Sequence, residues 1–414
     1  MKPVEINSAI TARQHEDYRA LLELLPRGVR HESPHSAYFT GYEYGTLYDW
    51  DQYFESVALG YCGYAPAYAR NGIDIFLGQQ AADGFIPRSF LPGVGVYRKH
   101  QAMFKPFIAQ IALVLVHRGE GVAWLEEDGR YEKMGRFFSC WTSRFDLRGD
   151  GLAVWLDAGH TGMDNHYDRA GGWDGPNGFC EGVDLNAYLV REGEALAVLA
   201  ELLGRPDEAA VWSAMADRVR QAIRRHLWDD ADGFFYDRDA RSGKRIPIRH
   251  VGAFVTLWAR VAEPDQAKRL VEEHLTNPRR FWRPYPLPSL AADEPGYAEG
   301  FLPGESTGCC NWRANTWVPA NYFTIHGLRY YGYDALALEL AERTFGLFQR
   351  GRFSEYYTSE SGIGTGLKPF WGWSCLALFL PTECRLGLDP TALTAANPAI
   401  DEIRRLFTDG IKRG

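Results

Sequence analysis

Residues that can transfer protons or bind a metal are concentrated in one ten-residue stretch, GHTGMDNHYD, at positions 159–168. Its two histidines and two acids are His160, Asp164, His166 and Asp168. Three interpretations compete: a metal site, an acid/base site, and a polar loop without chemistry. The glycines in this stretch favour a loop, where side-chain spacing says little about ligand geometry. We therefore favour acid/base chemistry with Asp164 and expect no metal.

Acid/base chemistry needs a second carboxyl group. The candidates lie in other polar, aromatic, glycine-flanked segments: Asp51, Asp157, Asp184, Glu305 and Glu355. Hydrolysis of a glycosidic bond uses one protonated carboxyl as acid and one ionised carboxylate as base or nucleophile. Several of the 13 tryptophans lie in polar segments such as YDWDQYF, NWRANTW and FWGWS. Such aromatic rings can bind the apolar face of a sugar, so the combination favours a carbohydrate-active site.

Two other functions remain open for the same residues. A sugar epimerase or isomerase would use histidines as acid and base, and its candidates are His160, His250 and His326. A non-catalytic carbohydrate-binding protein would have the aromatic walls without two facing carboxyl groups. Release of an aglycone distinguishes a hydrolase from both.

Composition and motifs argue against several classes of protein. The net charge is −8 and no lysine- or arginine-rich run occurs, so nucleic-acid binding has no support. Neither a phosphate-binding G-x-x-x-x-G-K-[ST] loop nor a G-x-S-x-G elbow is found, and we expect no cofactor. No segment has about 18 uninterrupted apolar residues, and the N-terminus lacks a signal peptide's apolar core. Seven cysteines without a C-x-x-C pair indicate reduced thiols, so we expect a cytoplasmic protein without a membrane partner.

Helical patterns dominate the chain and recur as hairpins. The clearest pair is 184–204 followed by 205–228, where Gly204 ends the first helix and Pro206 opens the second. Similar pairs are predicted at 250–262 with 264–275 and at 314–332 with 333–350. Further helices are predicted at 15–25, 51–64, 100–118 and 121–145, and a short β-hairpin at 232–239.

The two helices of each hairpin differ in kind, and this difference predicts the architecture. The first helix is aromatic and apolar nearly all round, as an inner helix would be, and the second is amphipathic, as an outer helix would be. About six such hairpins predict an all-α fold: a single (α/α)6 toroid over residues 1–414, with short β-hairpin arms. An open α-solenoid is the alternative, but solenoids repeat their sequence at a fixed period and these hairpins do not. Loops leading into the inner helices would carry the chemistry.

Five segments, in this order, resemble conserved blocks of glycoside hydrolase family 63. YDWDQYFES (48–56) is similar to its W-D sugar-binding segment, and FLGQQAADGFIPRSF (76–90) to its Q-x-x-D-G-x-I-P-N segment. HTGMDNHYD followed by DLNAYL resembles its general-acid loop and the helix start shared with trehalases. CNWRANTWVPANYF (310–323) resembles W-R-G-P-x-W-x-x-x-N-Y. FSEYYTSESGIGTG (353–366) with FWGWSCL (370–376) resembles the block that begins with the general base.

The resemblance implies an inverting α-glycosidase with Asp164 as general acid and Glu355 as general base. Inversion implies that the two carboxyl groups lie about 6.5–9.5 Å apart with a water between them. Short bacterial members resemble mannosylglycerate and glucosylglycerate hydrolases, which implies a small α-glucoside or α-mannoside, or a short disaccharide, as substrate. The sequence is compatible with a homo-oligomer. The substrate-binding residues that we expect are Tyr48, Trp50, Asp51, Gln80, Gln101, Lys105, His160, Asn165, His166, Asp184, Asn186, Trp312, Arg313, Trp317, Trp371 and Trp373.

The chain departs from the family pattern at several positions. Arg88 stands where asparagine is usual, and near the expected subsites His166 stands where serine is usual and Ala314-Asn315 where Gly-Pro is usual. These departures concern the sugar and the aglycone rather than the acid/base pair. A carboxylate on the aglycone could be bound by one of the basic residues of the segment that follows: Arg98, Lys99, His100 or Lys105.

Overall fold

The computed structural model describes residues 10–31, 36–91, 95–96, 102–166, 169, 179–301 and 310–413. Several residues named from the sequence lie outside these ranges: Arg98, Lys99, His100, Gln101, Asp168 and Glu305. The described part of the chain is mainly helical, and its few strands are two or three residues long.

The helices of the described ranges follow the hairpin pattern. They are α1 (Ala12–Leu24), α2 (Asp51–Tyr61), α3 (Ala67–Gly78), α4 (Ile108–Leu115), α5 (Ala123–Glu126), α6 (Arg130–Arg144), α7 (Ala158–Thr161), α8 (Val183–Leu202), α9 (Pro206–His226), α10 (Val255–Trp258), α11 (Pro264–Arg269), α12 (Val318–Tyr330), α13 (Asp334–Gly351), α14 (Leu380–Leu386) and α15 (Ala399–Arg413). A 3₁₀ segment, Ser374–Leu378, precedes α14. No helix in the described ranges is both long enough and apolar enough to cross a membrane.

Six inner elements form a closed ring. Each contacts the next around the cycle: α2 with α4, α4 with α8, α8 with α10, α10 with α12, α12 with the segment 374–378, and that segment with α2. The inner helices α8 and α12 are buried nearly all round, whereas α9 and α13 are buried on one face, as outer helices are. A closed cycle excludes the open solenoid and confirms the (α/α)6 toroid. The extent of the domain, 1–414, stays a prediction.

Aromatic side chains fill the centre of the ring. Four inner helices and the residue before α4 contribute them, all almost fully buried, and the shortest separation of ring centroids is 4.4 Å, between Trp258 and Phe323. Each packs against at least one of the others at a distance typical of aromatic pairs. We refer to this cluster as the aromatic plug; it consists of Tyr53, Phe54, Phe107, Tyr188, Trp258 and Phe323.

Short antiparallel strands lie mostly in the loops that lead into or follow the inner helices. One three-stranded sheet joins β3 (Leu47–Tyr48), β4 (Ser89–Leu91) and β5 (Gly95–Val96), and another joins β10 (Asn315–Thr316), β11 (Tyr356–Thr358) and β12 (Gly364–Thr365). Two-stranded pairs are β1 (Val29–Arg30) with β2 (Tyr38–Phe39), β6 (Cys180–Glu181) with β9 (Arg238–Asp239), and β7 (Trp228–Asp229) with β8 (Phe234–Phe235). The first two sheets tie distant loops together at the opening of the ring.

Three predicted elements differ from the structure. The helix expected at 121–145 is two helices, α5 and α6, because Asp128 and Gly129 have positive φ of 53° and 63°. In the helix expected at 100–118, α4 begins only at Ile108, since the chain before it pairs with the 86–88 segment instead. The hairpin expected at 232–239 pairs Trp228–Asp229 with Phe234–Phe235, so its turn lies earlier than predicted.

Candidate active site

A cavity of about 280 Å³ opens above the aromatic plug and is lined by loops that precede inner helices. Two of its residues, Trp50 and Trp373, contact Phe54 of the plug, so the plug closes the lower end of the cavity. The described lining residues are Tyr44, Tyr48, Trp50, Asp51, Arg88, Ser89, Ala102, Gly159, Gly162, Asp164, Cys310, Trp312, Trp317, Glu355, Leu367 and Trp373. Both proposed catalytic carboxyl groups are among them.

Asp164 is presented by a tight turn after the short helix α7. Asp157 caps that helix by accepting a hydrogen bond from the His160 N–H at 2.7 Å. Gly162 ends it with a φ of 80°, and a Cβ at this position would lie 3.1 Å from Lys105 Cε and 3.4 Å from the Trp50 ring. The glycine therefore supplies both the left-handed backbone and the space beneath Asp164.

The surroundings of Asp164 favour its protonated form. Burial raises the pKa of Asp164 to about 6, and this effect outweighs the nearby Arg88 cation, a hydrogen bond from Cys310 and the Lys105 cation, which lower the pKa. Among the described residues, Oδ1 of Asp164 has no hydrogen-bond partner. A carboxyl group that lines a cavity and has a pKa near neutrality is suited to donate a proton to a ligand.

Glu355 is held much more firmly than Asp164. Its Oε2 accepts a hydrogen bond from the Leu367 N–H at 2.9 Å, and its Oε1 accepts one from the Cys310 thiol at 3.5 Å. Its backbone N–H donates to the Leu367 carbonyl, and its carbonyl accepts from Trp373 Nε1 at 2.8 Å. Gly366, with a φ of 73°, faces the carboxylate, and a Cβ there would lie 2.5 Å from Oε2. The chain thus fixes a carboxylate that is 4% exposed and accepts two hydrogen bonds.

Tryptophan and tyrosine rings form the walls around the two carboxyl groups. Trp312 and Trp317 stack face to face, with centroids 3.9 Å apart, and Trp317 stacks in turn on Tyr356 at 4.5 Å. Trp50 contacts both Trp312 and Trp373. Apolar faces of this kind bind the C–H faces of flat or ring-shaped ligands.

A second acidic group lies at the cavity wall at the start of α2. Asp51 is 5% exposed, its Oδ2 accepts a hydrogen bond from the Tyr44 hydroxyl at 3.3 Å, and its Oδ1 has no partner among the described residues. Burial, and then the neighbouring Asp49, raise the pKa of Asp51 to about 7. The unpartnered oxygen is available to a ligand hydroxyl.

Lys105 lies behind this wall rather than in the cavity. Its ammonium group is fully buried, 3.0 Å from Asp49 Oδ2, and lies over the Trp50 ring at 5.0 Å from the centroid. Burial, followed by repulsion from Arg88, lowers the pKa of Lys105 to about 8. With its charge paired to Asp49, Lys105 supports Trp50 and is not placed to contact an aglycone carboxylate.

Two other residues of the acid loop, His160 and Asn165, form structural contacts with neighbouring segments. His160 is fully buried beside Trp141, and its ring nitrogens contact the backbone of Leu156 and Met103. Asn165 accepts a hydrogen bond from the Trp312 N–H at 2.7 Å and thereby joins the acid loop to the tryptophan wall.

His166 also lies outside the cavity. It is buried against His250, with centroids 5.6 Å apart, and burial followed by the proximity of His250 moves its pKa well below the ordinary value. His250 in turn lies 3.1 Å from Asp237. Neither these histidines nor His160 or His326 lines the described part of the cavity, so the geometry offers no acid/base pair of histidines to an epimerase.

Asp184 and Asn186, expected at the sugar subsite, point to structural partners. Asp184 forms a fully buried ion pair with Arg169 at 2.6 Å, and Asp237 shares the same guanidinium group. Asn186 exchanges two hydrogen bonds with the backbone of Ala153, at 2.8 and 3.0 Å. Both anchor the start of α8 to the preceding loop.

Three further expected residues also lie away from the described cavity lining. Gln80 donates to the Lys133 carbonyl at 2.8 Å and links the end of α3 to α6. Trp371 is fully buried and donates to the Thr40 carbonyl at 2.8 Å. Arg313 is 5% exposed, and its backbone N–H donates to Asn311.

Sequence reasoning did not select several residues of the cavity as site residues, among them Tyr44, Arg88 and Cys310. Arg88 stands out in the sequence only as a departure from the family pattern, and its charge lies close enough to Asp164 to lower its pKa. Tyr44 lies just outside the quoted motif at 48–56 and Cys310 is the first residue of the motif at 310–323, but no spacing rule distinguishes either from a loop residue. Their contacts to Asp51 and Glu355 could be found only from the folded arrangement.

A closed (α/α)6 ring with two carboxyl groups and tryptophan walls in one blind cavity defines the class of protein as a glycoside hydrolase. Comparison with known families agrees: residues 44–374 match the model of the mannosylglycerate hydrolase MGH1-like glycoside hydrolase domain. The match covers most of the chain, and the chain belongs to this family. The resemblance to glycoside hydrolase family 63 is thereby confirmed.

Individual relatives show how far this likeness extends. A mannosylglycerate hydrolase from Thermus thermophilus is 32% identical over 201 residues, 48% of this chain and 44% of that protein. Mannosylglycerate hydrolase from Rubrobacter radiotolerans is 29% identical over 194 residues, 47% of this chain and 42% of that protein. The chain thus spans less than half the length of these two relatives.

A solved structure matches over a longer region. The family 63 mannosylglycerate hydrolase from another strain of Thermus thermophilus, solved in complex with glucose, has a TM-score of 0.71 and 23% identity. The match covers 87% of this chain and 99% of that one. At this identity the likeness shows the shared fold.

Proposed function

We propose that this chain hydrolyses a small α-glycoside with inversion, using Asp164 as general acid and Glu355 as general base. Protonated Asp164 gives its proton to the glycosidic oxygen as the bond to the anomeric carbon breaks. Glu355 removes a proton from a water molecule that attacks that carbon from the opposite face. The products are the aglycone alcohol and a free sugar of inverted anomeric configuration.

The observation that carries this proposal is the contrast between two carboxyl groups in one cavity. Asp164 has a pKa raised to about 6 and an oxygen without a partner among the described residues, whereas both oxygens of Glu355 accept hydrogen bonds. Acid/base hydrolysis of a glycoside requires one carboxyl group that can be protonated and a second one that is ionised, and two carboxyl groups in different surroundings can meet that requirement. The Cys310 thiol reaches both groups, which is compatible with the separation of about 6.5–9.5 Å typical of inverting enzymes.

The substrate that we propose is an α-mannoside or α-glucoside of glycerate or a disaccharide of similar size. A cavity of about 280 Å³ is small for a ligand site and admits one sugar with a short aglycone. The related Thermus thermophilus hydrolase has been solved with glucose and, separately, with Tris and D-glycerate. In this chain the Trp312–Trp317 stack would face the sugar ring, and Asp51 Oδ1 would accept a sugar hydroxyl.

Proton NMR of the first product tests the proposal. The purified chain is incubated with mannosylglycerate, glucosylglycerate and trehalose, and the anomeric signals are followed before mutarotation. We expect the β-anomer of the free sugar to appear first from at least one of these α-glycosides. First appearance of the α-anomer would exclude inversion, and interconversion of free sugars without release of an aglycone would indicate an isomerase.

A further inference from the structure

The segment 310–316 connects the loop of the proposed acid to the strand of the proposed base. At one end, the Trp312 N–H and the Asn311 side chain bond to Asn165, the residue after Asp164, at 2.7 and 3.3 Å. At the other end, β10 pairs with β11, which begins directly after Glu355, and Asn315 lies opposite Thr358. The distance between the two carboxyl groups is therefore set through this segment.

The Cys310 thiol lies at the point where both carboxyl groups can be reached. Its Sγ donates to Glu355 Oε1 at 3.5 Å, and a hydrogen bond from it also lowers the pKa of Asp164. The side chain is half-buried and lines the cavity. Asp51, whose Oδ1 has no partner among the described residues, lines the same cavity, so the thiol and this carboxyl group face one ligand space.

We propose that Cys310 is a positioning residue of the acid–base pair, whose thiol lies between Asp164 and Glu355, holds them at their working separation and shares its single S–H proton between them as a hydrogen-bond donor. This inference rests on the proposed function for the roles of the two carboxyl groups, but the contacts do not depend on it. A thiol is a weak donor on a long C–S bond. It can therefore span two carboxyl groups without stabilising the ionised form of Asp164 so strongly that the acid is lost.

Other charges around the pair define the background for any test. Arg88, Lys105 and Asp157 act on Asp164, and Tyr44 and Asp51 face the same cavity from the α2 side. None of these changes when Cys310 is substituted, so a titration shift in a Cys310 variant reports on the thiol.

Alkylation of Cys310 tests the contacts without requiring turnover. The thiolate is the species that reacts with N-ethylmaleimide, and neighbouring carboxylates disfavour it. We expect Asp164→Asn and Glu355→Gln each to accelerate alkylation of Cys310 at pH 7 by about tenfold, measured by mass spectrometry of its peptide. Cys384, half-buried on α14, serves as the internal control and should keep its rate. Unchanged Cys310 rates in both variants would overturn the proposal, even if the chain hydrolyses glycosides.

The pH profile of kcat/KM distinguishes positioning from packing. Loss of the thiol donor in Cys310→Ala should raise the pKa of both carboxyl groups. The rising limb of the profile, set by ionisation of Glu355, and the falling limb, set by deprotonation of Asp164, should therefore both move to higher pH. Cys310→Ser retains a donor and should restore the limbs of the parent chain. A lower kcat with unmoved limbs, not rescued by serine, would show that Cys310 only fills space. Absence of any hydrolysis would contradict the proposed function and leave the alkylation result to decide on Cys310.

Discussion

At the scale of single residues, the two proposed catalytic groups differ in what holds them. Both oxygens of Glu355 are fixed by donors, and Gly366 leaves room for the carboxylate. Asp164 has an oxygen without a partner among the described residues, and burial raises its pKa. Both oxygens of the proposed base accept hydrogen bonds, whereas burial outweighs the polar contacts of the proposed acid and raises its pKa.

Neutral replacements of the two groups should remove activity without unfolding the chain. We expect Asp164→Asn and Glu355→Gln each to lower kcat/KM by roughly 10²–10⁴-fold, because each loses one proton-transfer step. Glu339→Gln, which alters an exposed carboxylate paired with Arg343 on α13, is the matched control. Initial rates and circular dichroism spectra give the two readouts. Activity within twofold of the parent in either variant would refute its assignment.

The pH dependence of activity should follow the acid. Because Asp164 must be protonated and its pKa is about 6, kcat/KM should fall about tenfold per pH unit above that value. Arg88 lowers this pKa, so Arg88→Gln should move the falling limb upward by about one unit. The measurement is a pH profile of kcat/KM for both chains. A falling limb that stays in place would show that another group controls it.

At the scale of elements, much of the site could be expected from the sequence. Gly159 and Gly162 indicated that the acid loop is not a regular element, and Gly162 does end α7 with a left-handed backbone. The apolar character of the inner helices predicted α8 and α12, and their motifs lie at the ends that face the cavity. The sequence could not show which polar residues of those motifs turn inward. Asp184 and Asn186 carry the family pattern, yet their side chains bind Arg169 and the backbone.

A variant of Asp184 tests whether this residue binds the sugar or stabilises the fold. Its carboxylate is buried against Arg169, whose guanidinium group also contacts Asp237, and it accepts a hydrogen bond from Trp155 Nε1 at 2.9 Å. Asp184→Asn should lower the free energy of unfolding by about 3–5 kcal/mol, since it removes one partner of a buried ion pair. KM should be unchanged in the folded enzyme.

The control for this prediction lies on the same helix. Glu201→Gln, near the exposed end of α8, should alter the free energy of unfolding by no more than about 0.5 kcal/mol. Chemical denaturation and initial rates at several substrate concentrations measure both quantities. A raised KM with normal stability in Asp184→Asn would restore the sequence-based assignment of Asp184 to the sugar subsite.

At the scale of the whole molecule, the alternation of apolar and amphipathic helices was sufficient to predict a ring. Every inner element has to be buried on all sides, and closing six of them into a cycle achieves this. The electrostatics of the cavity could not be predicted in the same way. The buried pair of Lys105 and Asp49, and the contact between Cys310 and Glu355, join residues far apart in sequence, and neither has a pattern in the chain.

Burial of acids around the cavity should reduce the stability of the molecule at higher pH. The pKa of Asp51 is raised to about 7 in the folded chain, above the ordinary value near 3.9, so its proton is released more readily on unfolding. The destabilisation of the folded chain by buried Asp51 therefore grows as the pH rises from about 4 to 7, and it is fully present above pH 7. Asp51→Asn should raise Tm by a few degrees, more at pH 8 than at pH 5, while weakening sugar binding. Equal Tm changes at both pH values would contradict this explanation.

The aromatic plug closes one end of the cavity, so that within the described ranges the cavity opens only at the opposite end. With Tyr53, Phe54, Phe107, Tyr188, Trp258 and Phe323 packed across the ring, no passage leads through its centre in the part of the chain that the structure describes. A substrate would then enter sugar first, so that only a terminal sugar reaches the carboxyl groups and a polymer cannot thread through. After cleavage, the sugar at the bottom departs behind the aglycone. Such an exit order makes the free sugar a competitive product inhibitor and the aglycone a noncompetitive one, a pattern that steady-state kinetics can read directly.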